Sequence, residues 1–374
     1  MHTEKTIIIN AATVKIAGGL VVTIDLIQLL NELTRYELII ISPSIKKFQK
    51  LPSTIEKIYT PDILLRPVLR WWLDFIWLPR MMRKYKPHLL ITMGNLPARS
   101  RYPQLMLNDN AFVSQKNYAG IPLTRGERLK HAIRKKLFWS RMRYVNRLVV
   151  QTQTEKTRLE SFGRKLPKIE VIPPLIPSHL RLDRESDILL PRRKKGTIRL
   201  LCLSYYWKHK NIEILTKVLQ LASDSNYPLQ LVFTLNDKRV KGGKKLVRQL
   251  TPFIDNEHAI NVGNIPGARV KSLIEQCDGL ILPSIIETFG LNSLEAWHCN
   301  KPFFVADKPF AREVCQNAAK YFDPFDADAI FLAIKEVFSK EEVREKLILN
   351  GTSLIKNWDS SKKYLALITN SLDE

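Results

Sequence analysis

Short, wholly apolar runs alternate along this chain with longer stretches whose apolar residues recur every three or four positions. The runs TIIIN (6–10), LIIIS (38–42), LLIT (89–92), 104–107, 148–151 and 169–172 lack polar alternation, which predicts strands covered on both faces. Between them lie a loop with Gly18 and Gly19, a helical pattern from about Leu20 to Leu33, an aromatic-rich helical stretch over 64–86, a basic helical stretch over 125–147 and a helix ending near Phe162. Strands alternating with helices predict parallel sheet built from βαβ units.

The pattern breaks over 173–196, which holds Pro173, Pro174, Pro177 and Pro191 and then Arg192-Arg193-Lys194-Lys195-Gly196. This reads as an interdomain linker. The alternation then restarts, with strands at 197–203, 229–235, 259–262, 279–283 and 302–306 and helices at 211–223, 242–252, 267–276 and 291–299. A chain of 374 residues fits two successive α/β domains, with their cleft as the default ligand site.

Charge separates the halves. The chain carries +23 overall, +18 of it on residues 1–175 and +5 on residues 176–374. Such an excess speaks to partners, not fold. Cys202, Cys277, Cys299 and Cys315 form no CxxC pair and have no His/Cys cluster beside them, so buried free thiols are expected and a zinc site is not. The amino-terminal residues run straight into a strand without an apolar signal region, and no run of ~18 apolar residues occurs. The expectation is a cytoplasmic protein.

The segment Asp278–Asp307 carries the chemistry. Its strand GLILPS ends at Pro283-Ser284, a loop delivers Glu287, Thr288, Phe289 and Gly290, and a helix begins near Leu291. Asn300 stands where a left-handed residue would close that helix, and Pro302 prevents its continuation. A strand end feeding a helix start is where α/β sheets hold phosphate, with the amides of about 289–293 as donors. Glu287 and Glu295 flank it, eight residues apart. Ionised carboxylates only accept hydrogen bonds, so hydroxyls are their natural partners. Phosphate on amides with hydroxyls on carboxylates describes a nucleotide-sugar. The plainer alternative is that Glu295 is a solvated helix residue and Glu287 a partner of the helix dipole.

The run E-x-F-G-L-x-x-L-E-A, preceded by Leu282-Pro283-Ser284 and followed by Lys301-Pro302, resembles the E-x7-E signature of retaining family 4 glycosyltransferases. Arg312-Glu313-Val314 and Tyr321-Phe322-Asp323-Pro324 resemble later landmarks of that family, which usually has Gly where this chain has Asn300. The resemblance implies the glycosyltransferase B fold: two Rossmann-like domains, residues 1–175 on the acceptor side and 176–358 on the nucleotide-sugar side, facing across a cleft. Trp358 and the helical pattern from about Ser360 to Leu372 resemble the family's last helix, which crosses back to the first domain, so residues 359–374 are expected there. The resemblance also implies roles. Glu295 would hold the nucleotide ribose and Glu287 the donor sugar, while Phe289, Gly290, Leu291 and Asn292 would present backbone to sugar and pyrophosphate.

Further matches are partial. Lys210-Asn211 resembles the second half of the family's Arg-x4/5-Lys-(Gly/Asn) turn, which grips the donor diphosphate; Tyr205 and Tyr206 stand where the Arg would be. One point charge is a weaker clamp than two, and Lys208 is the neighbouring candidate to compensate. Gly18 and Gly19 resemble the glycine-containing first loop, and Gly263-Asn264-Ile265-Pro266 the loop near the base. The family's His at the reaction centre is missing: the matching stretch offers Asn108, Asp109 and Asn110, with Asp109 carried as the catalytic candidate beside Glu287 and Lys210. His131, on the basic helix, is expected at the surface.

The reading is therefore a retaining, metal-independent glycosyltransferase. Its donor is a UDP- or GDP-sugar used as substrate, without a resident cofactor. Its acceptor is a saccharide or lipid-linked saccharide in cell-surface glycan synthesis of the lipopolysaccharide or capsule kind. Trp71, Trp72, Phe75 and Trp77 among Arg66, Arg70, Arg80, Arg83, Lys84 and Lys86 suit either a buried aromatic core with a basic face or an anionic membrane surface on the inner face of the membrane. No nucleic-acid motif accompanies the charge. The missing Arg and His keep a second class open, a catalytically degenerate scaffold or binding protein.

Overall fold

The computed structural model describes residues 5–33, 36–94, 96–118, 120–181, 190–236, 241–358 and 360–373. The chain divides into two compact units: Met1–Asn117 with Thr124–Leu175 and Asp359–Glu374, and Tyr118–Leu123 with Ile176–Trp358.

The first unit holds seven parallel strands: β1 (Thr6–Asn10), β2 (Glu37–Ser42), β3 (Glu56–Tyr59), β4 (Leu89–Met93), β5 (Gln104–Leu107), β6 (Arg147–Val150) and β7 (Lys168–Val171), in the order β3-β2-β1-β4-β5-β6-β7. The second holds β8 (Ile198–Cys202), β9 (Leu229–Phe233), β10 (Ala259–Asn261), β11 (Gly279–Leu282), β12 (Phe303–Ala306) and β13 (Lys320–Phe322), also parallel, in the order β10-β9-β8-β11-β12-β13. Each order reverses once, between β1 and β4 and between β8 and β11. Outside the carboxyl ends at such a reversal, neighbouring loops part and leave a crevice.

The edge strand β3 has no apolar run to betray it. It pairs only with β2, and its burial is partial, so Glu56 and Lys57 are tolerated on it. The stretch 64–86 is not one helix: it passes through 3-10 turns, a short helix Arg70–Trp72 and a π-helical turn Leu73–Trp77 before the helix Leu78–Tyr85. Pro79 has no N–H for a bond to the residue four back, and the wider turn ahead of it accommodates that loss. The basic helix is shorter than its pattern, Arg125–Arg141, because one 3-10 turn (Met142–Tyr144) must reverse the chain into β6. Thr124 and Glu127 close its start as a capping box.

The proline-rich stretch is not a free linker over its described parts. Leu180 and Leu190 are buried in the second unit's core and Ile176 packs against it; residues 182–189 lie outside the described residues. The terminal helix Ser360–Asp373 sits in the first unit, where Tyr364 and Ile368 are buried and Lys5 Nζ bonds Asp373 Oδ1 at 2.6 Å. Cys202, Cys277 and Cys315 are buried free thiols and Cys299 is half-buried; burial pushes Cys202, Cys277 and Cys299 up to about 12, so all are poor nucleophiles.

Glu155 is buried beside the loop that follows β5. Asn108 Nδ2 donates to its Oε1 at 3.0 Å, and Ser114 Oγ lies 2.8 Å from its Oε2 and 3.0 Å from the Ala111 carbonyl. Ser114 has one proton. Given to Ala111, it requires Glu155 to supply the other, and burial does push this carboxyl up from 4.5 to about 8. A raised folded-state value means stability that is complete below the ordinary value and is lost as pH rises through the folded one. The melting temperature should thus fall between about pH 4.5 and about pH 8 through this group, and Glu155→Gln should flatten that part of the profile. Superimposable profiles would place the titration elsewhere.

In the second unit, Gly351 of the helix Glu341–Lys356 lies flat against the buried indole of Trp297, whose Nε1 donates to the Ala318 carbonyl at 3.2 Å. Helix propensity alone favours Gly→Ala by ~1 kcal/mol. Here a Cβ would overlap the Trp297 ring, so Gly351→Ala should destabilise by roughly 1–3 kcal/mol in urea unfolding. A gain would show that the indole can shift.

Candidate active site

The reversal point of the second sheet assembles the principal site. β8 is followed by a loop that ends in the 3-10 turn Lys208–Lys210, and β11 by the loop Pro283–Leu291. The two loops are joined by backbone, Ile285 N–H donating to the His209 carbonyl at 2.8 Å. They are also joined by charge, with Lys210 Nζ 2.5 Å from Glu287 Oε1. Asn211 closes the turn in the left-handed region (φ 52°), and its Nδ2 holds the Pro324 carbonyl at 2.6 Å. Burial opposes ionisation of Glu287, but the Lys210 ammonium, His209 and the Ser284 hydroxyl outweigh it and hold the carboxyl below its ordinary range. The site thus presents a mostly buried ion pair at a strand end.

Glu295 lies in the first turn of the helix Asn292–His298 and is buried, so it is not a solvated helix residue. Asn292 Nδ2 donates to its Oε2 at 2.8 Å and to the Leu203 carbonyl at 3.1 Å, tying the carboxylate to the end of the β8 strand. His179 Nε2 stands 3.3 Å from its Oε1. Each oxygen therefore has one protein neighbour, and a carboxylate oxygen accepts about two bonds. Capacity remains for a hydroxyl.

The helix start is less open than the sequence suggests. Ser293 N–H is taken by the Gly290 carbonyl at 3.0 Å and Glu295 N–H by Leu291 at 3.2 Å. Gly290 has φ 91°, a conformation that suits glycine, and it lets the chain pass Leu282 and Phe310. The Phe289 side chain turns into the core against Trp358, ring centroids 5.4 Å apart, and Leu291 packs on the same core. Only their backbone can face a ligand. Asn300 does close the helix in the left-handed region, at φ 53°.

The two tyrosines at the missing Arg are structural. Tyr205 OH donates to Asn264 Oδ1 at 2.7 Å, anchoring the loop that contains Gly263. Tyr206 is buried, donates to Glu213 Oε1 at 2.5 Å and lies directly under Gly242, where a Cβ would meet its ring. Neither replaces the absent cation. Gly263 has φ 68° with open space where a Cβ would stand, and Asn261 Oδ1 accepts from its N–H at 3.3 Å.

The first unit has its own pocket at the β1/β4 reversal. Gly19, Met93, Gly94, Asp109, Gln151 and Tyr364 line it. Gly19 lies against the Asp109 carboxylate so closely that a Cβ would collide with Oδ2, which gives this glycine a definite steric role. Gly18, beside it, is half-buried in the first turn of the same helix. Burial pushes the Asp109 carboxyl up to about 6. Asn108 and Asn110 are occupied structurally, Asn108 with Glu155 and Asn110 Oδ1 with the Phe112 N–H at 3.1 Å. His131 is half-buried and stacked on Phe112 at 3.9 Å, not simply a surface residue.

The structure therefore joins Lys210 to Glu287, Asn292 to Glu295, and Gly19 to Asp109, and it places Gly263 with Tyr205 and Asn264. His179 is the residue that sequence reading missed. It sits in the stretch read as a linker, and no local pattern links it to Glu295.

Residues 185–354 match the family described as glycosyl transferases group 1. The O-antigen chain mannosyltransferase RfbU of Salmonella typhimurium is 30% identical over 154 residues, 41% of this chain and 41% of that protein, so the match spans less than half of this relative. Sucrose-phosphate synthase from Thermosynechococcus elongatus superposes with a TM-score of 0.72 at 15% identity over 99% of both chains. WaaG, a glycosyltransferase involved in lipopolysaccharide biosynthesis, gives 0.73 at 12% identity over 97% of this chain and 99% of its own. At these identities the likeness is one of fold, the glycosyltransferase B fold. The family match covers the stretch that carries Lys210, Glu287 and Glu295, so it is over this part of the second unit that the chain is similar to the glycosyl transferases group 1 family.

Proposed function

We propose that this protein is a retaining glycosyltransferase that moves a sugar from a nucleoside-diphosphate donor, a UDP- or GDP-sugar, to a saccharide or lipid-linked saccharide in cell-surface glycan synthesis. The observation that carries the reading is the Lys210–Glu287 pair at the strand ends of β8 and β11, with Glu295 held beside the same strand end by Asn292. The relatives' names, an O-antigen chain mannosyltransferase and a lipopolysaccharide glycosyltransferase, favour a glycan of that kind. Among the described residues no helix is long and apolar enough to cross a membrane, and we place the enzyme at the cytoplasmic face of one, where a lipid-linked acceptor would be met.

In this reading, Glu295 and Glu287 accept hydrogen bonds from donor hydroxyls, Glu295 from the ribose and Glu287 from the sugar. Bond cleavage moves negative charge onto the departing diphosphate. Lys210, already positioned by Glu287, supplies the compensating charge without reorganisation. Asp109, beside Gly19 in the first unit's pocket, is the candidate group for the acceptor hydroxyl: with its carboxyl near 6 it is largely ionised at neutral pH and able to take a proton. No step requires a metal ion, so transfer should persist in EDTA.

Calorimetric titration with UDP and GDP tests the site. Glu295→Ala and Lys210→Ala should each weaken nucleotide binding roughly tenfold or more, since each removes a hydrogen bond to a charged group. Unchanged affinity in both would remove the assignment. Glu287→Gln should keep nucleotide affinity and slow transfer.

Lys210→Ala also strands a mostly buried carboxylate, so it should lower the melting temperature, and Lys210→Ala/Glu287→Gln should recover most of that loss without recovering transfer. If the double variant is as unstable as the single, the pair does not carry the coupling.

One observation favours the scaffold reading: both tyrosines at the Arg position are engaged structurally, leaving Lys210 already paired. Wild-type protein that binds neither nucleotide would decide for it.

A further inference from the structure

Two stretches of the first unit leave large apolar side chains in solvent. In 63–75 these are Ile63, Val68 (81% exposed), Trp71 (52%), Trp72 and Phe75 (50%). On the helix Arg125–Arg141 they are Leu129 (62%), Ile133 (51%) and Leu137. The aromatic stretch is therefore not a buried core; that role falls to Leu73, Leu78, Met82, Phe138 and Trp139. Leu129, Ile133 and Leu137 are four apart and share one helix face, opposite the buried Phe138 and Trp139.

The two stretches lie side by side. Both Nη atoms of buried Arg141 donate to Asp74 Oδ2 at 3.1 Å, Nη1 also reaches the Pro97 carbonyl at 3.3 Å, and Arg70 Nε stands 3.4 Å from Asp74 Oδ1. Burial, and after it the nearby Arg70 charge, lower the Arg134 guanidinium from its ordinary value, which places Arg134 of the helix close to Arg70 of the aromatic stretch. The aromatic side chains are held, not loose: the Arg99 guanidinium lies over the Phe75 ring at 4.2 Å, and Trp71 and Trp72 are 5.3 Å apart.

Charge identifies the partner. Arg66, Arg80, Arg83 and Lys84 are exposed on the first stretch, and Arg125, Arg128, Lys130 and Lys136 on the second. The acids among them are already engaged, Asp74 with two guanidiniums and Glu127 in the capping box. Exposed Trp, Phe, Leu and Ile ringed by Lys and Arg match the boundary between acyl chains and anionic headgroups. Nucleic acid would meet the cations but leave the aliphatic stripe unused.

We infer that these two adjoining stretches form a docking face for an anionic phospholipid bilayer, with Trp71, Trp72 and Phe75 entering the acyl boundary and the Leu129–Ile133–Leu137 stripe lying along it. The inference deepens the proposed work at a membrane but needs neither donor nor transfer, so vesicle binding and nucleotide binding fail independently.

The test is flotation of the full chain with vesicles of phosphatidylcholine alone or with about a third phosphatidylglycerol, over a salt series. Binding is expected on the anionic vesicles only, weakening with salt, with tryptophan fluorescence quenched by brominated acyl chains. Trp71→Ser/Trp72→Ser/Phe75→Ser and Leu129→Gln/Ile133→Gln/Leu137→Gln should each lower vesicle affinity roughly tenfold or more. Melting temperature and UDP or GDP affinity should not move, because these side chains lie outside the core, and Trp71→Phe/Trp72→Phe should retain binding. Unaltered binding by both triple variants, or binding without bromine quenching, overturns the inference. So does a lipid-free dimer that the variants dissolve, which would make the face an interface between two copies, or equal binding to an oligonucleotide.

Discussion

A carboxylate held among strand ends stays ionised only if something nearby compensates its lost hydration. For Glu287 that is Lys210, and much of the site's geometry follows from bringing the two together. The cation must arrive from β8 and the carboxylate from β11, and these strands are neighbours only because the sheet order reverses between them. The backbone bond from Ile285 to His209 fixes the approach of the two loops, and the left-handed Asn211 turns the chain away once the lysine has been delivered. In the proposed reaction this is pre-organisation: the charge that would meet the diphosphate is in place before the donor arrives.

The second carboxylate is managed differently. Glu295 has no lysine. It accepts from an amide of its own helix and lies 3.3 Å from an imidazole of a chain segment more than a hundred residues earlier. Asn292 joins the carboxylate to the end of β8 through the Leu203 carbonyl, so both acidic residues are referenced to the same strand. One carboxylate is fixed by a cation and the other by an amide, and in the proposed reading both then accept from donor hydroxyls while the cation beside Glu287 is the group that meets the diphosphate.

Parallel strands were legible because burial on both faces forces continuous apolar runs, and the residues just after them were legible because that is where loops must carry chemistry. β3 escaped because an edge strand with partial burial needs no such run. Tyr205 and Tyr206 could be seen to replace an arginine, but not that one would anchor the Gly263 loop and the other would lie beneath Gly242. His179 escaped for a stronger reason. Its partner is distant in sequence, and its own surroundings, rich in proline and charge, argue for a linker until Leu180 is seen to be buried.

Composition was least informative where it was most conspicuous. The cations of the first half have opposite fates: Arg141 is buried against Asp74, Arg99 is stacked on Phe75, and Lys130 and Lys136 are exposed. Summed charge cannot distinguish these. What does is the backbone around 73–79, where a proline two residues into a helix removes a hydrogen bond and a π-helical turn takes up the difference. Across that turn and the residues just before it, Leu73 and Asp74 go inward while Trp71, Trp72 and Phe75 stay out. A regular helix with the same composition would satisfy the same hydropathy arithmetic. It is the outward aromatics, set beside an independent outward stripe on the neighbouring helix, that turn an excess of charge into a surface with a definite chemistry.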